Sequence, residues 1–190
     1  MALRIKSRWH VSDRNTGSEK GLEDHAKALA FIAWRIALER AVNLHGEDYT
    51  YRSDGQRIAV VCEFLAYAVA MIDRLTFAGL NDADRNRLVN ALGRRIADHV
   101  EDNARDLFGP RDYRSGFTDT LNARLGDYAQ YRFDEHGPGH SFRHYLGVKV
   151  ANILGDHRLN KWSIDQVMEI DAHEVHRRID QAVGELFEVE

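Results

Sequence analysis

Apolar residues recur along most of this chain at intervals of three and four, the period of a helix that turns one face to a core. The first stripe is Leu22, Ala26, Leu29, Ile32, Ala33 and Ile36, which predicts a helix over 19–45. Thr16 and Glu19 stand before it at capping-box spacing, and His45-Gly46 supplies a stop. A second helix is predicted over 54–78, opened by Ser53 and Gln56 and closed by Gly79. Between Ile58 and Ile72 it is apolar on nearly every face, so it belongs at the centre of the structure.

A third stripe, Leu88, Ala91, Leu92, Ile96, His99, Val100, Asn103 and Leu107, predicts a helix over 82–108. Asn81 or Asp82 caps it, and Gly109-Pro110 ends it, because proline cannot continue a helix. Phe117, Leu121, Leu125 and Tyr128 predict a fourth over 112–133. Residues 134–140 read as a glycine-rich loop. Phe142, Leu146, Val150 and Ile153 mark a short fifth helix over 142–154, with Ser141 as its cap. The sixth spans 164–188, with Ser163 and Gln166 as a third capping box and Trp162 stapled on Val167.

No strand pattern competes. The chain therefore reads as all-α, a single antiparallel bundle of five to six helices over 18–190. Residues 1–17 carry Arg4, Lys6, Arg8 and Arg14 against Asp13 and show no stripe, so they read as a short extended N-terminal arm.

Composition narrows the functional classes. At 190 residues the chain is long enough for one real core, and a single Cys excludes a disulfide framework or a Cys-rich zinc module. The net charge of −4 argues against a general polyanion binder, and the basic arm is too sparse to predict nucleic-acid binding. The start of the chain lacks an apolar signal region, and the longest nearly apolar run falls short of the ~20 residues of a membrane helix. No membrane association is expected, and a cytoplasmic location is.

Glu63 is the only charge within the apolar run from Ile58 to Ile72. A buried carboxylate must be paired, hydrogen-bonded or bound to a metal. Tyr67 lies one turn on. The functional reading makes Glu63 a metal ligand or acid–base group in the core. The structural reading satisfies it with Tyr67 and an arginine such as Arg35 or Arg95. His99 lies on the core stripe of the third helix with Asn103 one turn on, and His25 on the inward face of the first. Glu63, His99 and His25 are thus the candidate metal ligands, with Tyr67 and Asn103 beside them. Their cofactor would be iron, zinc, manganese or haem, since bundle cores hold such sites.

Known ligand spacings are missing. No Glu is followed by His at the third place, and His173-Glu174-Val175-His176 lacks the zincin spacing. His136, His140 and His144 stand four apart around a glycine-rich turn, a candidate metal, anion or pH-sensitive site. His10, His45, His157, His173 and His176 read as surface or helix-end residues. Asp73 and Arg74 read as a structural ion-pairing step, and Cys62 as a small buried hydrophobe. The favoured function is a helical bundle that self-associates or binds a protein partner, because the first and fourth helices have mixed faces. The alternative is a metal- or haem-binding bundle with redox or metal-assisted chemistry.

Overall fold

The apolar run of the second helix decides the architecture. In a computed structural model, which describes residues 21–46, 49–155 and 157–187, that helix is the central member of an all-helical bundle. The helices are α1 (Leu22–Gly46), α2 (Asp54–Leu75), α3 (Asp82–Phe108), α4 (Arg114–Tyr128) and α5 (His140–Leu154). The last helical stretch comprises α6 (Ser163–Gln166), a π-helical turn (Val167–Asp171) and α7 (Ala172–Phe187). α2 packs against α1, α3, α4, α5 and α7, and every residue from Glu63 to Ile72 is buried. Among the described residues no helix is long and apolar enough to cross a membrane.

The caps follow the sequence where their side chains are free to reach back. Ser53 Oγ accepts the Gln56 N–H at 3.2 Å, and Gln56 Oε1 accepts the Arg52 N–H at 2.7 Å, holding the start of α2. Asn81 Oδ1 accepts the Asp84 N–H at the start of α3, and Gly109 ends that helix at φ +82°. The box expected at Ser163 and Gln166 does not form. Trp162 is the residue before α6, it is 63% exposed, and Ser163 Oγ is buried without a hydrogen bond. The Thr16–Glu19 box and the arm over 1–17 lie outside the described residues.

Two boundaries differ from the periodic pattern. α4 ends at Tyr128, where Arg74 Nη2 donates to the carbonyls of Ala129 (2.8 Å) and Tyr128 (3.4 Å). Arg74 thus satisfies the open carbonyl end of a neighbouring helix rather than its own. The loop that follows holds a minimal antiparallel ladder, β1 (Phe133–Asp134) against β2 (Gly137–Pro138). Arg143 Nη1 donates to the Pro138 carbonyl at 2.5 Å and fixes this hairpin to α5.

α1 and α3 share the most extensive interface. Alanines 26, 30, 33, 37 and 41 of α1 and 91, 97 and 104 of α3 are buried, and small side chains let helix axes approach closely. Glu23 reaches Arg94 at 3.7 Å, and Trp34 stacks on His99 along the same seam.

Candidate functional site

Glu63 sits at the centre, 4% exposed, and its carboxylate is taken by a guanidinium. Arg124 of α4 donates from Nε to Oε2 at 2.8 Å and from Nη2 to Oε1 at 2.7 Å. This is the two-pronged geometry that matches a planar guanidinium to a carboxylate. Its hydrogen bonds to Glu63 raise the Arg124 pKa. The expected partners were Arg35 or Arg95 and Tyr67. Neither arginine supplies the pair, and Tyr67 instead donates to the Ala172 carbonyl at 3.4 Å. The arginine that does so stands on α4, which periodicity alone could not orient.

An aromatic group surrounds this pair. Tyr128 stacks on Phe142 at 4.5 Å, and Tyr67 meets both rings edge-on. Tyr145 donates to Asp127. Burial raises the pKa values of Tyr67, Tyr128 and Tyr145, so all three phenols keep their protons near neutrality. The Tyr128 hydroxyl is buried with no hydrogen-bond partner.

Glu63, His99 and His25 are not brought together. His99 is half-buried and stacks on Trp34 at 5.8 Å. Asn103, one turn on, donates to the His99 carbonyl at 2.8 Å. His25 meets Phe187 of α7 edge-on at 4.8 Å. Both imidazoles therefore work as flat packing surfaces at the edge of the core. Among the described residues no group of three or more His, Cys, Asp and Glu side chains is placed to hold a metal ion. The pKa of Cys62 is pushed up to about 12 by burial, which leaves the thiol protonated.

The histidines around the glycine-rich turn divide. His140 and His144 stack in parallel on the first turns of α5, with ring centroids 5.9 Å apart. His136 is exposed beside Glu135 and borders a cleft of about 350 Å³ with Arg74, Asp134, His176 and Asp180. His176, expected on the surface, is half-buried against the hairpin. A Cβ on Gly137 would lie 2.2 Å from its Cε1, so only glycine fits under the ring. Burial lowers the His176 pKa, and Asp180 acts against that shift. The nearest sequence signal was Asp180, one helical turn beyond His176.

A second buried ion pair also escaped the sequence reading. Arg40 of α1 reaches Asp171, in the π-helical turn, at 3.5 Å, and donates to Glu39 at 2.9 Å. Arg178 of α7 donates to Glu39 at 2.7 Å, tying α1 to α7. The extra residue of a π turn shifts the face that follows, and Asp171 lies within it at 1% exposure.

The outer face of α1 is different in kind. The helix buries Leu29, Ile36, Ala37 and Leu44 on one side, and on the exposed side Phe31 and Val42 stand among polar residues such as Asp24, Arg35 and Glu39. Phe31 is 48% exposed, Val42 is 61% exposed, and Leu38 lies half-buried between them. Arg35 shares that face, its guanidinium 5.9 Å from the Phe31 ring centroid. At the Val42 end lies an open cleft of about 410 Å³, where Ala41, Val42 and Tyr51 line the space together with polar and charged residues such as Arg52, Asp54 and Arg57. Tyr51 is fixed there by donating to the Ala41 carbonyl at 2.8 Å.

Fold and site together define an all-helical bundle whose central charge is neutralised internally and whose first helix exposes Phe31 and Val42 on its outer face. No family model, no curated protein and no solved structure matches the chain.

Proposed function

We propose that this protein is a helical bundle that acts by self-association, with the outer face of α1 as its docking surface. One observation carries the reading: Phe31 and Val42 are large apolar side chains exposed on the side of α1 that faces away from its own core, with Leu38 half-buried at the edge of that face. Large apolar side chains exposed along one helix face are a mark of an interaction surface. Exposed rings elsewhere also have a cation beside them, as Phe31 has Arg35: Arg85 lies 4.8 Å from the Phe77 ring and Lys161 5.2 Å from the Trp162 ring. What sets α1 apart is that Val42 also borders an open cleft, in which Ala41 and Tyr51 stand among polar and charged side chains.

Sedimentation velocity across a wide concentration range tests the reading. The expected result is a reversible oligomer that Val42→Glu shifts to monomer with unchanged helical circular dichroism. A chain that stays monomeric at high concentration, or an oligomer insensitive to Val42→Glu, overturns it.

A further inference from the structure

The start of α5 carries two histidines that no other part of the fold uses. His140 and His144 are both exposed, and among the described residues neither imidazole forms a hydrogen bond or an ion pair. Positions four apart lie on one face of a helix, one turn above the other. Here the two rings are within 12° of parallel, with centroids 5.9 Å apart. We propose that His140 and His144 form a two-nitrogen chelate for a late divalent transition-metal ion, with water completing its coordination.

The spacing is that of the two histidines in the His-Glu-x-x-His helices that hold zinc. Ser141, Phe142 and Arg143 stand between them in this chain, so no carboxylate base accompanies the pair. The site is therefore one of binding and not of hydrolysis. Metal–nitrogen bonds of ~2.0–2.1 Å set two nitrogens on one ion about 3 Å apart. A turn of each ring about its Cβ–Cγ bond closes the stack to that spacing without moving the helix.

The backbone beneath the pair is already fixed. Phe142 and Leu146, on the opposite face, are fully buried. The Gly139 N–H donates to the Arg132 carbonyl at 3.0 Å, and Arg143 Nη1 donates to the Pro138 carbonyl at 2.5 Å. A chelate built on a held element loses little freedom when it binds. His136, the third histidine of the run, lies in the hairpin 3.7 Å from Glu135 and takes no part.

The surroundings also set which ion fits. α5 begins without a side-chain cap and has no acid in its first turn. The positive end of the helix dipole therefore opposes a cation there. Bonds to nitrogen, not attraction between charges, must hold the ion. That favours Cu²⁺ over Ni²⁺ and Zn²⁺, and all three over Mg²⁺ and Ca²⁺, which seek oxygen ligands. A bound ion spans the first two turns of α5 and ties them together in place of the missing cap.

Calorimetric titration of the untagged full chain with Ni²⁺, and separately with Cu²⁺ and Mg²⁺, tests the site. His140→Ala and His144→Ala should each weaken Ni²⁺ binding about tenfold or more, since changes one shell further out already cost about 10–100-fold. His136→Ala should leave it unchanged, and Mg²⁺ should not bind. At free Ni²⁺ about 100 times the Kd, the melting temperature should rise by about 5 °C or more. That rise should vanish in His144→Ala and on adding a chelator. All three positions are exposed, and circular dichroism checks that the variants keep their helices. No Ni²⁺ binding by the unaltered chain, or equal binding by the double variant His140→Ala with His144→Ala, overturns the proposal. So does a loss with His136→Ala as large as that with His144→Ala.

Discussion

Removing Arg124 should harm this protein more than removing Glu63, although the two make the same bond. The reason lies in what each leaves behind. The Glu63 side chain is 5% exposed and that of Arg124 is 19% exposed. Arg124→Leu strands a carboxylate in the centre of the bundle, walled in by apolar side chains of α2. Breaking a buried pair in this way costs ~3–5 kcal/mol. Glu63→Gln keeps the shape and one acceptor, and the guanidinium can turn part-way to water, so ~2–3 kcal/mol is expected. The double change Glu63→Met with Arg124→Leu removes both charges and should recover most of the loss, because an apolar replacement of similar volume is often neutral. Urea unfolding followed by circular dichroism gives all three values. At ~2–4 °C of melting temperature per kcal/mol for a chain of this size, thermal melts should rank them in the same order. The reasoning fails if Arg124→Leu lies within about 0.5 kcal/mol of the wild type. It also fails if the double change is as destabilising as the two single changes added together, since neighbours in one ion pair must couple.

Three further outcomes follow from the same contacts. Burial holds the His176 pKa below its unfolded value, with Asp180 opposing and His173 and Arg143 adding to the shift. Its contribution to stability is therefore complete above ~6.5 and is lost as pH falls through the lower folded value. Thermal melts through this window should fall less steeply for His176→Gln, and equal slopes would contradict the assignment. Gly137→Ala places a methyl against the His176 ring at φ +91° and should cost ~2–3 kcal/mol in urea unfolding. Adding His176→Ala relieves the overlap but not the strained φ, so only part of the loss should return. Tyr128→Phe deletes a buried hydroxyl that has no partner and should change stability by less than ~0.5 kcal/mol. A loss above ~1 kcal/mol would mean that the hydroxyl does make a hydrogen bond.

The helical architecture was legible because its strongest signals are local. Asn81, Gly109 and the Ser53–Gln56 box act within four residues of themselves, and the structure uses each of them. The central position of α2 was legible from Glu63 to Ile72 because a helix with no polar face can only be enclosed. The end of α4 was not. It depends on Arg74, 54 residues earlier, which supplies the donors at Tyr128 and Ala129. The partner of Glu63 was hidden for the same reason. Periodicity gives the face of a helix that is buried, but not which neighbour that face meets. His99 and His25 were placed on core stripes correctly enough to be half-buried, yet their use as packing partners for Trp34 and Phe187 depends on pairings 65 and 162 residues apart. Nothing near either histidine encodes that.

α1 shows a different kind of hidden signal. Its inner face follows the 3.6-residue period through Leu29, Ala33, Ile36 and Leu44, and that stripe accounted for the helix. Phe31 and Val42 fall opposite, where they blur the contrast between faces instead of forming a recognisable stripe. A helix apolar on two sides looks, in a periodicity argument, like one that is weakly amphipathic or fully enclosed. α2 is the enclosed case, with α1, α3, α4, α5 and α7 around it. α1 has α2, α3 and α7 on its inner side, and its exposed Phe31 and Val42 show that these neighbours leave the outer side open. The same apolar richness therefore has different meanings in the two helices: in α2 it is a core already covered, and in α1 part of it, at Phe31 and Val42, stays exposed. Only the burial of each residue separates the two cases, which is why Val42, at 61% exposure, is the more informative position for mutation than any of the buried groups first suspected of chemistry.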